Sequence, residues 1–70
     1  MATTQDVIKG LTVISQYSPR GINAQVEAQH DIIYADPAVS REDVSEADAT
    51  LLEQLGWHWD ADGRCWACFT

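Results

Sequence analysis

LGWHWDADGRCWACFT, residues 55–70, holds all three tryptophans and both cysteines of a 70-residue chain. Asp62-Gly63 is a short-range hairpin signal, with Trp57-His58-Trp59 before it and an apolar run at 65–69 after it. A two-residue loop at Asp62-Gly63 pairs Trp59 with Trp66, and a longer loop over 60–63 pairs Trp57 with Trp66. Both give the same parity, because side chains alternate across a strand. Trp57, Trp59, Trp66 and Cys68 then share one face, and His58, Cys65, Ala67 and Phe69 share the other. A tryptophan buries roughly 200 Å², so three of them on one face read first as the core of a very small domain.

Cys65 and Cys68 have CxxC spacing, which serves zinc when the motif folds around the metal in a tight turn. Here it falls inside a predicted strand. Positions three apart on a strand diverge, with Cα atoms roughly 10 Å apart, too far for one ion or a disulfide. A redox CxxC opens a helix after a strand, which this one does not. The two cysteines therefore read as small apolar residues. A metal-binding module using Cys65, Cys68, His58 and His30 is kept as an alternative that needs tertiary convergence.

Upstream, VSREDVSEADATLLEQLGW (39–57) contains two helix-start signals, Ser40 with Asp43 and Ser45 with Asp48, the second flanked by Val44 and Ala49 as a hydrophobic staple. The helix that follows is expected to turn Val44, Ala47, Leu51 and Leu55 inward and Glu46 and Glu53 outward, with Gly56 as its stop. Residues 22–34 alternate with period two: Ile22, Ala24, Val26, Ala28, Ile32 and Tyr34 share one parity. The preferred reading is one long strand bent near Gln29-His30-Asp31; a tight hairpin at that point is the alternative. His30 then has the core-facing parity, and Asp31, its neighbour, points to the other side. At the start of the chain, Thr3 and Asp6 form a capping box for a helix whose inner face is Val7, Leu11 and Ile14, with Ile8 at its margin. Gly10 weakens that helix by roughly 1 kcal/mol, and Ser18-Pro19 with Gly21 ends it.

Four basic residues stand against eleven acidic ones, a net charge of -7. Lys9, Arg20, Arg41 and Arg64 are scattered singly, which argues against nucleic acid and against anionic membranes. No stretch approaches the ~20 apolar residues of a membrane span, and MATTQDVIKG lacks the layout of a signal peptide. The expected compartment is a reducing cytoplasm. No Ser-His-Asp set, phosphate-cradling loop or paired-carboxylate cleft stands out, so no catalytic residue is assigned and no cofactor is expected. The acidic residues Glu42, Asp43, Glu46, Glu53, Asp60 and Asp62 are the candidate partner-binding set: either a solvated face favoured at a helix start or a surface complementary to a basic protein.

With the capped acidic helix, LGWHWD, Trp66 and the terminal Phe69-Thr70, and with HDIIYADP upstream (30–37), the chain resembles small acidic proteins encoded in phages and prophages of proteobacteria. The likeness covers most of 22–70. It carries no assigned reaction. It implies a protein that binds and blocks host machinery, as anti-CRISPR and anti-restriction proteins do.

The expectation from sequence is a single α+β domain over 1–70, in the order helix, strand, helix, hairpin. Its three-stranded, mainly antiparallel sheet has both helices on one face. The expected function is that of a non-enzymatic interaction protein meeting a basic host protein through its acidic second helix and hairpin turn. A further alternative is an assembly subunit that forms a homodimer or larger homo-oligomer through an exposed aromatic edge, with Phe69, Ile33 and one tryptophan as the contact.

Overall fold

The structure, a computed structural model, describes residues 2–69; Thr70 of the terminal Phe69-Thr70 pair lies outside the described residues. Helix α1 (Thr4–Ser15) starts where the capping box places it: the Asp6 N–H donates to Thr3 Oγ1 at 3.2 Å, and the Thr3 N–H donates to Asp6 Oδ2 at 3.0 Å. Ile14 is buried while Ile8 is 58% exposed, so Ile8 does not belong to the inner face.

Residues 22–34 form two strands. β1 (Glu27–Gln29) and β2 (Ile32–Tyr34) pair antiparallel, with Gln29 opposite Ile32, and His30-Asp31 is the two-residue turn between them. His30 has φ 56°, a left-handed conformation that histidine tolerates better than most side chains. The turn also reverses parity: Ala28 lies opposite Ile33, so Ile33, not Ile32, shares its face. His30 is exposed and does not face the core.

The C-terminal hairpin has the register in which Trp59 faces Trp66, with Trp57 opposite Cys68, in strands β3 (Trp57–Asp60) and β4 (Cys65–Phe69). Its loop runs over 61–64, and the positive φ falls on Arg64 (55°), one residue beyond the glycine. β4 also pairs with β2, giving a sheet of four strands, not three, in the order β1-β2-β4-β3. The extra strand comes from the His30-Asp31 turn, which folds the expected single strand back on itself.

Both helix-start signals of 39–57 are used. Ser40 and Asp43 close a capping box on a 3-10 turn at Arg41–Asp43, and Ser45 caps helix α2 (Glu46–Gln54) by accepting from the Asp48 N–H at 3.2 Å. The inner residues are Val44, Ala49 and Leu52, whereas Ala47 and Leu51 are exposed. Val44 is extended (φ -88°, ψ 131°) and precedes the helix, so counting helical phase from it rotates the expected face. Gly56 follows the C-cap at φ 89°, a conformation that favours glycine.

One core joins the layers. Ile14 from α1 and Ala49 and Leu52 from α2 pack with Trp57, Trp66 and Cys68 of the sheet. Trp57 lies against α1 at Gly10, and its indole N–H donates to the Asp6 carbonyl at 3.0 Å. The helices are tied at one end by Tyr17, whose hydroxyl donates to the Asp48 carboxylate and accepts from the Ser45 N–H at 3.4 Å. Among the described residues no helix is long and apolar enough to cross a membrane.

Candidate functional site

The six acidic residues singled out by sequence divide into two groups. Glu42 and Asp43 lie in the 3-10 turn before α2, and Glu46 and Glu53 lie on α2 itself, all four exposed. Asp60 ends β3 and Asp62 lies in the loop after it; both line a cleft of about 390 Å³ with Glu27, Gln29, Tyr34 and Cys65. Glu27 was not among the sequence candidates. It arrives there because the β1–β2 hairpin lays β1 along the sheet, a placement with no local signal.

Several of these carboxylates already have structural work. Asp43 Oδ2 accepts from the Ser40 N–H at 3.1 Å, and Asp60 Oδ1 accepts from the Asp62 N–H at 3.1 Å. Glu53 lies 4.0 Å from Arg41, with both side chains at least half exposed, an ion pair worth little in water. Arg41 also places its guanidinium 5.7 Å from the centroid of the Trp66 ring. Glu42, Glu46 and Asp62 make no side-chain hydrogen bond or ion pair among the described residues, so their charge is available to solvent.

The sheet face away from the helices carries His58, Cys65, Ala67 and Phe69, as parity requires, with Ile32 and Tyr34 brought beside them by β2. His58 stacks on Phe69 with ring centroids 4.8 Å apart and planes at 14°. Phe69 is exposed as the sequence suggests, but Ile33 packs toward the core and Trp59 stands edge-on to Trp66 at 6.0 Å. The expected aromatic spot of Phe69, Ile33 and a tryptophan is therefore not assembled.

Cys65 and Cys68 are both buried free thiols, on opposite faces of β4. Burial pushes the Cys65 thiol up, and the Asp60 and Glu27 carboxylates push in the same direction; burial and then the Asp6 carboxylate do the same to Cys68. Both are held protonated, the reverse of what activates a nucleophile or ligand. Among the described residues no three His, Cys, Asp or Glu side chains converge as a metal-binding group. His30 lies in the β1–β2 turn and His58 in the His58–Phe69 stack.

Asp36 is a buried carboxylate that is not among the sequence candidates. The Ala38 N–H donates to it at 2.9 Å and the Ser18 hydroxyl at 2.7 Å, joining the end of α1 to the chain after β2. These donors, the Ala38 amide foremost, hold its pKa below the usual carboxylate value. Its contribution to stability is thus full above the unfolded-state pKa and is lost as pH falls through the lowered folded value. Urea midpoints measured from neutral to about pH 2.5 should fall less steeply on the acid side for Asp36→Ala than for the wild type, with the variant less stable at neutral pH. Parallel acid limbs would remove Asp36 from the linkage.

These elements define a two-layer α+β protein whose candidate acidic residues lie on exposed or half-buried positions and whose sheet has one face turned away from the helices. Comparison with protein-family models, curated proteins and solved structures finds no match for this chain.

Proposed function

We propose that this chain is a non-enzymatic acidic interaction protein of phage or prophage origin. It binds a basic host protein in the cytoplasm and blocks it, in the manner of anti-CRISPR or anti-restriction proteins. The supporting observation is the imbalance of exposed charge. Of eleven carboxylates against four cations, Glu42, Glu46 and Asp62 stand exposed with no side-chain hydrogen bond or ion pair among the described residues, and the one ion pair among those residues, Arg41–Glu53, is solvent-exposed. A surface left with unpaired carboxylates on a folded scaffold steers a basic partner and speeds encounter more than it holds the complex.

With a partner identified by affinity capture, the double variant Glu46→Lys/Glu53→Lys should lower the association rate by about tenfold at low salt, and less as salt rises, because ~0.15 M salt already cuts the electrostatic reach to about 8 Å. Both residues are exposed on α2, so the fold should be intact by circular dichroism. Unchanged on-rates in the folded double variant, together with a salt-independent wild type, would return these acids to a solubility role.

A further inference from the structure

We infer that the chain pairs with a second copy of itself through the open edge of β1, independently of any basic partner. Five large apolar side chains are exposed among the described residues, and three of them, Ile8 (58%), Ile22 (92%) and Val26 (51%), surround one groove of about 280 Å³ between α1 and the segment entering β1. Scattered apolar residues on a surface are ordinary, but three around a single apolar hollow mark a contact site. Ile22 is not on a loose tip. It is held outward by a hydrogen-bonded 3-10 turn, Gly21–Asn23, in which the Asn23 N–H donates to Arg20 O at 3.1 Å and the Ala24 N–H to Gly21 O at 3.0 Å. The groove wall is uncharged apart from Asp36, whose carboxylate is already taken by Ser18 and Ala38.

Beside this groove runs an unpaired strand edge. β1 ends the order β1-β2-β4-β3 and is bonded on one side alone. In a two-residue hairpin the residues flanking the loop form a hydrogen-bonded pair and the pattern alternates from there, so the amide and carbonyl of Ala28 point away from β2, and carrying the alternation back two residues, past the start of β1 at Glu27, gives Val26 the same outward phase. The opposite edge strand, β3, carries no exposed large apolar residue of its own, and the exposed Phe69 stacked on its His58 belongs to β4.

The charge pattern selects a second copy as the occupant. Glu27 is the single charged residue in 21–29. A twofold axis at Val26 sets two such segments antiparallel, with Val26 beside its symmetry mate and Glu27 opposite Gln25 of the other copy. No like charges meet, and the Gln25 amide can donate to the Glu27 carboxylate. The two grooves then lie side by side on the helix side of one continuous sheet. This self-complementarity is what an isologous interface requires. Because each copy carries a net charge of -7, the copies repel at long range, and added salt should tighten the dimer. That is the opposite of the salt effect expected for a basic partner.

Sedimentation velocity of the purified chain from about 1 to 500 µM, at low salt and at about 0.5 M salt, is the test. The expected result is a monomer–dimer equilibrium that shifts to dimer as salt rises. Val26→Lys places two like charges at the axis and should raise the dissociation constant at least tenfold. Glu46→Lys, on α2, should leave it unweakened. Val26 is half exposed and outside the core, so the far-ultraviolet spectrum should be unchanged; Ile22→Ser serves as the second variant if it is not. A chain that stays monomeric at the highest concentration in both salts overturns the inference. So does a dimer indifferent to both variants but lost on Phe69→Ser, which would place the contact on the open sheet face instead.

Discussion

Trp57→Ala should leave the chain largely unfolded in dilute buffer, the largest effect of any single substitution considered. Trp57 is 2% exposed, packs on Gly10 of α1, and donates its indole N–H to the Asp6 carbonyl at 3.0 Å. Truncating such a ring costs on the order of 3 to 5 kcal/mol. A domain of this size has a total stability toward the low end of about 5 to 15 kcal/mol. Trp66→Ala should be comparably severe, since that ring is 1% exposed and central in β4. The phenylalanine variants should separate the two. Trp57→Phe gives up a hydrogen bond, whereas the Trp66 indole nitrogen is buried with no partner among the described residues, so Trp66→Phe removes an unsatisfied donor. Urea denaturation followed by circular dichroism checks all four. Wild-type midpoints in both alanine variants would mean that neither ring supports the core.

The second large effect carries the opposite sign from the one that local propensity suggests. Alanine in place of a mid-helix glycine normally stabilises a helix by about 1 kcal/mol. At Gly10 the added Cβ would fall 2.6 Å from Trp57 Cδ1 and closer still to Nε1 and Cε2. Those are ring atoms of a buried side chain with nowhere to move. Overpacking of this kind costs about 1 to 3 kcal/mol, and displacing the indole also breaks its bond to Asp6, worth about 1 kcal/mol. Gly10→Ala is therefore expected to lower stability by about 2 kcal/mol net, within the sum of those terms. A midpoint that rises would show that the ring does not rest on the helix.

The elements that the sequence reading recovered are those whose chemistry is local. The Thr3–Asp6, Ser40–Asp43 and Ser45–Asp48 pairs act over three residues, and each caps the turn it precedes. The 57–69 hairpin was readable because strand parity constrains four aromatic and two cysteine positions at once; either even loop gives the same faces, while the Trp59–Trp66 pairing itself is set by the 61–64 loop. The His30-Asp31 turn was not preferred because it lacks the glycine or asparagine that usually takes positive φ. That one omission left the sheet a strand short and assigned His30, Ile32 and Tyr34 to the wrong side. The face of α2 was misjudged for a similar reason: Val44 looks like part of the helical period but lies in the extended residue before it.

The candidate site was legible as a list and not as a surface. Glu42, Asp43, Glu46 and Glu53 share one short stretch, and their clustering is a fact of sequence. Asp60 and Asp62 lie apart from them, in a cleft with Glu27, because β1 and the 61–64 loop meet across the sheet. No periodicity reports a contact between residues so far apart in the chain.

Readable from the chain alone are the α+β class, the three capped turns, the parity of the hairpin, the core-facing tryptophans and the excess of negative charge. Each depends on side-chain alternation, on capping over a few residues, or on composition. The tertiary structure alone decided that β1 is a separate edge strand, that Gly10 exists to seat Trp57, and that Ile8, Ile22 and Val26 surround one groove. Those features come from side chains meeting across the packed layers, where shape and free volume, rather than neighbouring residues, set the outcome.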